Sequence, residues 1–131
     1  MMSDIGTISG VVKKYAGNGR ILGYPTANVA VDTPLEDGVY FGLANLAGYQ
    51  ANPALIFVGT PTTVGDTIRR VEAHLLDIED KDYYGSDLEL RVLHHHRTNQ
   101  TFGSIEELKI AMKSDEQSGR TWLQDFLQKT N

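Results

Sequence analysis

Cysteine is absent from this 131-residue chain. That excludes a disulfide framework and any thiolate metal site, and it is the composition expected in a reducing, cytoplasmic compartment. Long apolar runs are absent as well. No stretch approaches the roughly 18 residues that a membrane-spanning helix needs, so no membrane partner is expected. The opening MMSDIGTISG has neither a basic region nor an apolar run, and a secretory signal is not expected there. Positive charge is scarce: 12 Lys and Arg stand against 17 Asp and Glu, a formal net charge of −5. This argues against bulk nucleic-acid binding, which draws on a basic face, while a local basic pocket stays open. The phosphate loop GxxxxGKS/T, a GxGxxG opening a helix, HExxH and a Ser/His/Asp set are all missing.

What is present is an ordinary globular composition, 40% apolar and 22% charged. It suits one hydrophobic core in a single domain over residues 1–131. Period-2 patterns dominate the first two thirds. GTISGVVKKY (6–15), GVYFGLANL (38–46) and PALIFVG (53–59) read as strands, the last apolar enough to be buried on both faces. RRVEAHLLDIE (69–79) places Val71, Ala73 and Leu75 on one side and Glu72, His74 and Leu76 on the other. SDLELRVLHHHR (86–97) alternates in the same way. The turn clusters between them are too short for crossover helices, so the strands should be mostly antiparallel. Beyond residue 102 the period changes. Ser104 and Glu107 have capping-box spacing, Ile105, Leu108 and Met112 follow at helical spacing, and TWLQDFLQK (121–129) forms a second amphipathic stretch. Five or six antiparallel strands followed by a helix predict a small closed barrel with the helix against its side or mouth.

Three features could carry chemistry. In GVVKKYAGNGRILGYPTAN (10–28), glycines at 17, 19 and 23 would let backbone amides converge on an anion, with Arg20 adding a charge; plain turns use glycine equally well. If TAN is extended, Thr26 and Asn28 point to one face. Their oxygens then suit Mg²⁺ beside phosphate, or else they cap a turn. Glu72 sits in a strand, where it is either a solvated outer residue or, beside a cleft, a general base. His94, His95 and His96 invite a metal reading, but alternation sends His95 away from its neighbours. The Asn99-Gln100-Thr101 triplet matches a glycosylation acceptor and is read as coincidence.

In this order these pieces resemble the riboflavin kinase family, the flavokinase domain that also forms the C-terminal half of bacterial bifunctional FAD synthetases. The resemblance runs from about Gly10 to Asp115. It is carried by GR-ILG-YPTAN (19–28), GVYFG (38–42), VGTPT (58–62), VEAHLLD (71–77), DYYG (82–85), Arg97, and F-S-EEL (102–108) with Asp115. It implies a mainly β domain: a six-stranded antiparallel Greek-key β-barrel, the riboflavin kinase-like split barrel, with a C-terminal α-helix. The implied reaction moves the ATP γ-phosphoryl group to the riboflavin 5′-hydroxyl, giving FMN and ADP. Carried over residue by residue, the resemblance implies Glu72 as the base and Thr26 and Asn28 as ligands of Mg²⁺, with Zn²⁺ or Mn²⁺ left open. It implies Gly19, Arg20, Thr26, Leu75, Asp77 and Tyr84 around ATP, Leu75 and Asp77 mainly through backbone groups. Arg97, Gln100 and Asp115 fall on the flavin side. The expected partners are riboflavin and FMN with ATP and ADP, no nucleic acid and no membrane, and the chain is expected to act as a monomer without an adenylyltransferase domain.

The pattern also departs from the family. Tyr15 replaces a customary glycine, Phe57 a customary polar residue, and GTPTT is about one residue short. Thr98 to Thr101 stand where Pro-Glu-x-Lys is usual, removing charges near the flavin. These departures motivate a second reading, a flavin- or nucleotide-binding module impaired in catalysis. An oligonucleotide-binding barrel, a third, would need a basic, aromatic-rich sheet face that the acidic balance disfavours. The C-terminal helix and Trp122 are the candidates for a wall against the isoalloxazine ring.

Overall fold

Alternating side chains along short β-branched runs set the architecture. In the computed structural model, which describes residues 4–13, 25–29, 33–60, 69–79 and 81–129, these runs form β1 (Gly6–Lys13), β2 (Thr26–Val29), β3 (Gly38–Leu46), β4 (Tyr49–Gly59), β5 (Arg70–Leu75) and β6 (Asp87–Arg97), followed by α1 (Ile105–Lys129). The strands close into a barrel in the order β1-β2-β5-β4-β3-β6, each neighbouring pair antiparallel. The six-stranded Greek-key barrel with its C-terminal helix is therefore present as expected. Ile8, Val12, Ala27, Val29, Val71, Ala73 and Leu75 point inward with Tyr40, Ile56, Val58 and Leu90 to fill the interior. Among the described residues no helix is long and apolar enough to cross a membrane.

β4 begins at Tyr49, earlier than the apolar run that starts at Pro53. The reason is the turn. Leu46 pairs with Tyr49, and the intervening Ala47 and Gly48 both have positive φ, 47° and 90°. That is the twist a two-residue hairpin favours, so the polar stretch after it is carried into the ladder. On β3 the pairing with β6 shifts register between Phe41 and Gly42. There Gly42 lies against the carbonyl oxygen of Arg91 and the end of Ile56, with no room for a methyl group.

The two amphipathic stretches near the C-terminus form one continuous helix of 25 residues. The weakest helix former in the join is Gly119, and packing outweighs its propensity cost of about 1 kcal/mol. Gly119 is where the helix sits closest to the sheet: a Cβ there would come within 2.9 Å of Leu55 Cδ2 and 3.1 Å of the Phe41 ring. Leu123 and Phe126 then join Phe41, Leu43, Leu55, Leu76 and Leu93 in a second core outside the barrel. At the N-terminus of α1 the Glu107 amide donates to Ser104 Oγ at 3.2 Å, while the Glu107 carboxylate accepts from the Gly103 amide at 2.9 Å. The cap is reciprocal, though the carboxylate reaches one residue further back than the usual box. Leu123→Ala should lower unfolding free energy by about 2 kcal/mol, the low end for a buried leucine because the helix can settle toward the sheet. A urea titration followed by circular dichroism measures it, and an unchanged midpoint would show that the helix contributes no packing energy.

Candidate functional site

The register of β2 against β5 assembles the polar residues. Thr26 lies opposite His74 and Asn28 opposite Glu72, and side chains facing one another across an antiparallel pair share a side of the sheet. Ala27, Val29, Val71 and Ala73 take the inward positions, so the four polar side chains stand together on the outer wall. That wall is not solvated here: Glu72 is 9% exposed and His74 6%. Glu72 is therefore a buried carboxylate rather than a solvated one.

Glu72 is held from its own strand. Arg70 Nε and Nη2 donate to Glu72 Oε1 at 3.1 and 3.0 Å, and Glu72 Oε2 lies 3.9 Å from His74 Nε2. The other ring nitrogen, His74 Nδ1, is 3.3 Å from Thr26 Oγ1. Burial pushes the His74 imidazole below its ordinary range, against the pull of Glu72 and then Asp115. The ring stands between the hydroxyl and the carboxylate. Asn28 Oδ1 is buried and, among the described residues, accepts no hydrogen bond. An orphaned acceptor of this kind calls for a donor or a cation. With the Thr26 hydroxyl it makes a hard-oxygen pair that fits Mg²⁺. Among the described residues no group of three or more His, Asp or Glu side chains could hold a metal. A cation here would thus draw on Thr26 and Asn28 together with phosphate oxygens, the usual manner for Mg²⁺.

A second polar group lies where β6 meets α1. Asp115, on the helix and only 4% exposed, accepts from Arg97 Nε at 2.9 Å and Nη2 at 2.8 Å. His96 Nε2 lies 3.2 Å from the same carboxylate. Arg97 also donates to the Thr98 carbonyl at 3.2 Å and lies 5.8 Å from the centre of the Phe102 ring. Two of the residues placed on the flavin side are thus brought together, and the third, Gln100, stands exposed. Asn99 is engaged internally: its Nδ2 donates to the Val58 carbonyl at 2.9 Å and packs against Gly59.

The residues assigned to ATP are more dispersed. Thr26 belongs to the polar block, whereas the Leu75 side chain lies in the barrel interior. Asp77 has a positive φ of 56° and accepts both guanidinium ends of Arg120 at 2.7 and 3.0 Å, which holds its carboxyl below the usual range. Tyr84 is 44% exposed, in the turn before β6. Gly19 and Arg20 lie outside the described residues. Sequence reasoning missed Arg70 and His74. Alternation put 70, 72 and 74 on one strand face, but a polar outer face is ordinary and only its burial distinguishes this one.

The triple histidine divides as alternation requires. His94 and His96 both stack on Phe41, with centroids at 5.7 and 4.5 Å, while His95 meets Tyr40 edge-on. His94 also stacks on Trp122 at 4.8 Å and 22°. Burial first, then the neighbouring His96 and His95, push its imidazole below the ordinary value. A histidine with a depressed folded-state pKa is protonated more readily in the unfolded chain. Its contribution is therefore complete above about pH 6.5 and is lost as pH falls below that value toward the depressed pKa. The melting temperature should fall more steeply between pH 7 and 5 in the wild type than in His94→Phe. Parallel curves would show that His94 is not linked to folding.

Comparison with known proteins adds to this geometry. The Flavokinase family model, described as riboflavin kinase, matches residues 4–123. The bifunctional riboflavin kinase/FMN adenylyltransferase of Escherichia coli K12 is 34% identical over 115 residues, 86% of this chain and 36% of that protein. The human riboflavin kinase is 26% identical over 111 residues, 80% of this chain and 72% of its own length. Among solved structures, riboflavin kinase from Trypanosoma brucei superposes with a TM-score of 0.70 at 25% identity, covering 90% of this chain and 79% of that one. The chain spans 17% of the trifunctional protein RibF/MnmA of Mycoplasmoides gallisepticum and 36% of the Escherichia coli protein.

Proposed function

This chain belongs to the riboflavin kinase family, and from that premise we propose that it transfers the γ-phosphoryl group of ATP to the 5′-hydroxyl of riboflavin, giving FMN and ADP. The observation that carries the reading is the Asn28–Glu72 cross-strand pair, which sets an orphaned amide oxygen beside a buried carboxylate. Phosphoryl transfer asks mainly for positioning and charge neutralisation. Glu72 orients the ribityl hydroxyl and takes its proton as the oxygen attacks phosphorus. Thr26 and Asn28 hold the divalent cation, Mg²⁺ by choice of donors, which when bound neutralises charge on the phosphate oxygens. His74 fixes the Thr26 hydroxyl. Gly19, Arg20 and Tyr84, with the backbone of Leu75 and Asp77, line the nucleotide side, and Arg97, Gln100 and Asp115 the flavin side, with Asp115 setting the Arg97 guanidinium plane. The proposal covers the kinase step alone, on small molecules, in a monomer.

The test is direct. Purified chain is incubated with riboflavin, ATP and Mg²⁺, and FMN and ADP are followed by chromatography. Equal amounts of both products are expected. Riboflavin bound without FMN would replace the kinase with the non-catalytic binding module that the changes at Tyr15 and Thr98 to Thr101 suggest.

A further inference from the structure

One charged group in the site has no part in the reaction outlined above. We propose that Arg70 is a positioning residue for that reaction, engaging Glu72 Oε1 so that Oε2 is the oxygen presented to the substrate hydroxyl. The inference rests on the kinase reading of the site.

Three observations carry it. Arg70 is 3% exposed, and a buried guanidinium is costly unless its charge is met. Two of its donors, Nε and Nη2, converge on a single oxygen of Glu72 at 3.1 and 3.0 Å. Among the described residues the cross-strand neighbours of Glu72 make no hydrogen bond to its carboxylate. Asn28, on β2, turns a second acceptor oxygen, Oδ1, into buried space, and Phe57, on β4, has no polar atom in its side chain. Orientation therefore comes from along the strand, from Arg70 two residues before and His74 two residues after.

The terminal torsion of a glutamate is broad and roughly two-fold. A carboxylate with neither oxygen engaged would spread its base oxygen over that range. Fixing Oε1 fixes the carboxylate plane, and Oε2 with it, on the side of His74 and Thr26. Misplacement of about 1 Å in a reacting group can lower a rate some 10²-fold, so the anchor bears on turnover while it touches neither substrate.

The test compares kcat and KM for riboflavin and ATP in wild type, Arg70→Met, Arg70→Lys and Glu72→Gln, and in each Arg70 variant combined with Glu72→Gln. In Arg70→Met, kcat should fall about 10- to 100-fold with both KM values within about threefold. Arg70→Lys should fall between, since an ammonium keeps the charge without the paired donors. On the Glu72→Gln background the Arg70 change should lower the rate no more than about twofold, because residues that act as a unit are not additive. A purely structural role gives the same loss on both backgrounds, and that result overturns the proposal, as does an unchanged kcat. If Arg70→Met does not fold, judged by its helical circular dichroism, Arg70→Lys and its double variant make the same comparison. FMN from wild type with unaltered variants ends this proposal alone; no FMN from wild type ends it together with the kinase reading.

Discussion

Glu72→Gln should lower the rate of FMN formation by about 10²- to 10⁴-fold, the usual contribution of a general base, with riboflavin and ATP still bound. Glutamine keeps the size of the side chain and its Oε1 acceptor but cannot take the proton. It also removes the negative charge beside Arg70, which is 3% exposed. Removing one partner of a buried ion pair is destabilising by about 3–5 kcal/mol in general, and the retained acceptor should soften that loss. An inactive variant could therefore be an unfolded one. The double variant Arg70→Met/Glu72→Gln separates the two effects, since an apolar stem in place of the unmatched guanidinium should recover melting temperature while activity stays low. Single-turnover rates and melting curves on the same samples decide it. Activity returning together with stability in the double variant would exclude Glu72 as the base.

Gly42→Ala should lower unfolding free energy by more than about 3 kcal/mol, beyond the usual range for an overpacked core. The group it would strike is the Arg91 carbonyl oxygen, part of the neighbouring strand's backbone, with Ile56 Cδ1 on the other side at 2.6 Å. A side chain can change rotamer. A paired backbone moves only if the β3–β6 ladder moves with it, and that ladder already shifts register between Phe41 and Gly42. The predicted readout is a large fall in the denaturation midpoint or loss of soluble protein. A midpoint within about 1 kcal/mol of wild type would mean that the ladder can slide at this position at little cost.

Much of this was legible in the sequence because alternation fixes faces without knowing partners. The pattern of RRVEAHLLDIE placed Glu72 and His74 on one side of a strand, and TAN placed Thr26 and Asn28 likewise. What it did not contain is that residue 28 pairs with residue 72, since a ladder joining distant segments is set by closure of the whole barrel. Arg70 was hidden for a related reason: two residues before a glutamate on an outer strand face, an arginine reads as solvated until the burial of that face is known. The two amphipathic stretches belong to a single 25-residue helix, and Gly119 between them marks its close approach to the sheet. Trp122, offered as a wall for a planar ligand, stacks on His94 and, at 5.5 Å and 12°, on Phe126. These contacts help dock the helix.

The pairing of Thr26 with His74 joins residues 48 apart in sequence, and the β2–β5 ladder is what brings Thr26 and Asn28 beside Glu72 and His74. Contacts of such long span form against the entropy of closing a large loop, so chains dominated by them fold slowly. A chain with β3, β4, β5 and β6 paired but β2 undocked would hold much of its core, and Glu72 with Arg70, but would lack Thr26 and Asn28 beside them. In a refolding experiment, recovery of activity should therefore lag the fluorescence of Trp122, which belongs to the helix. Enzyme assay during refolding becomes a clock for barrel closure, read from the one seam where the chemistry is written.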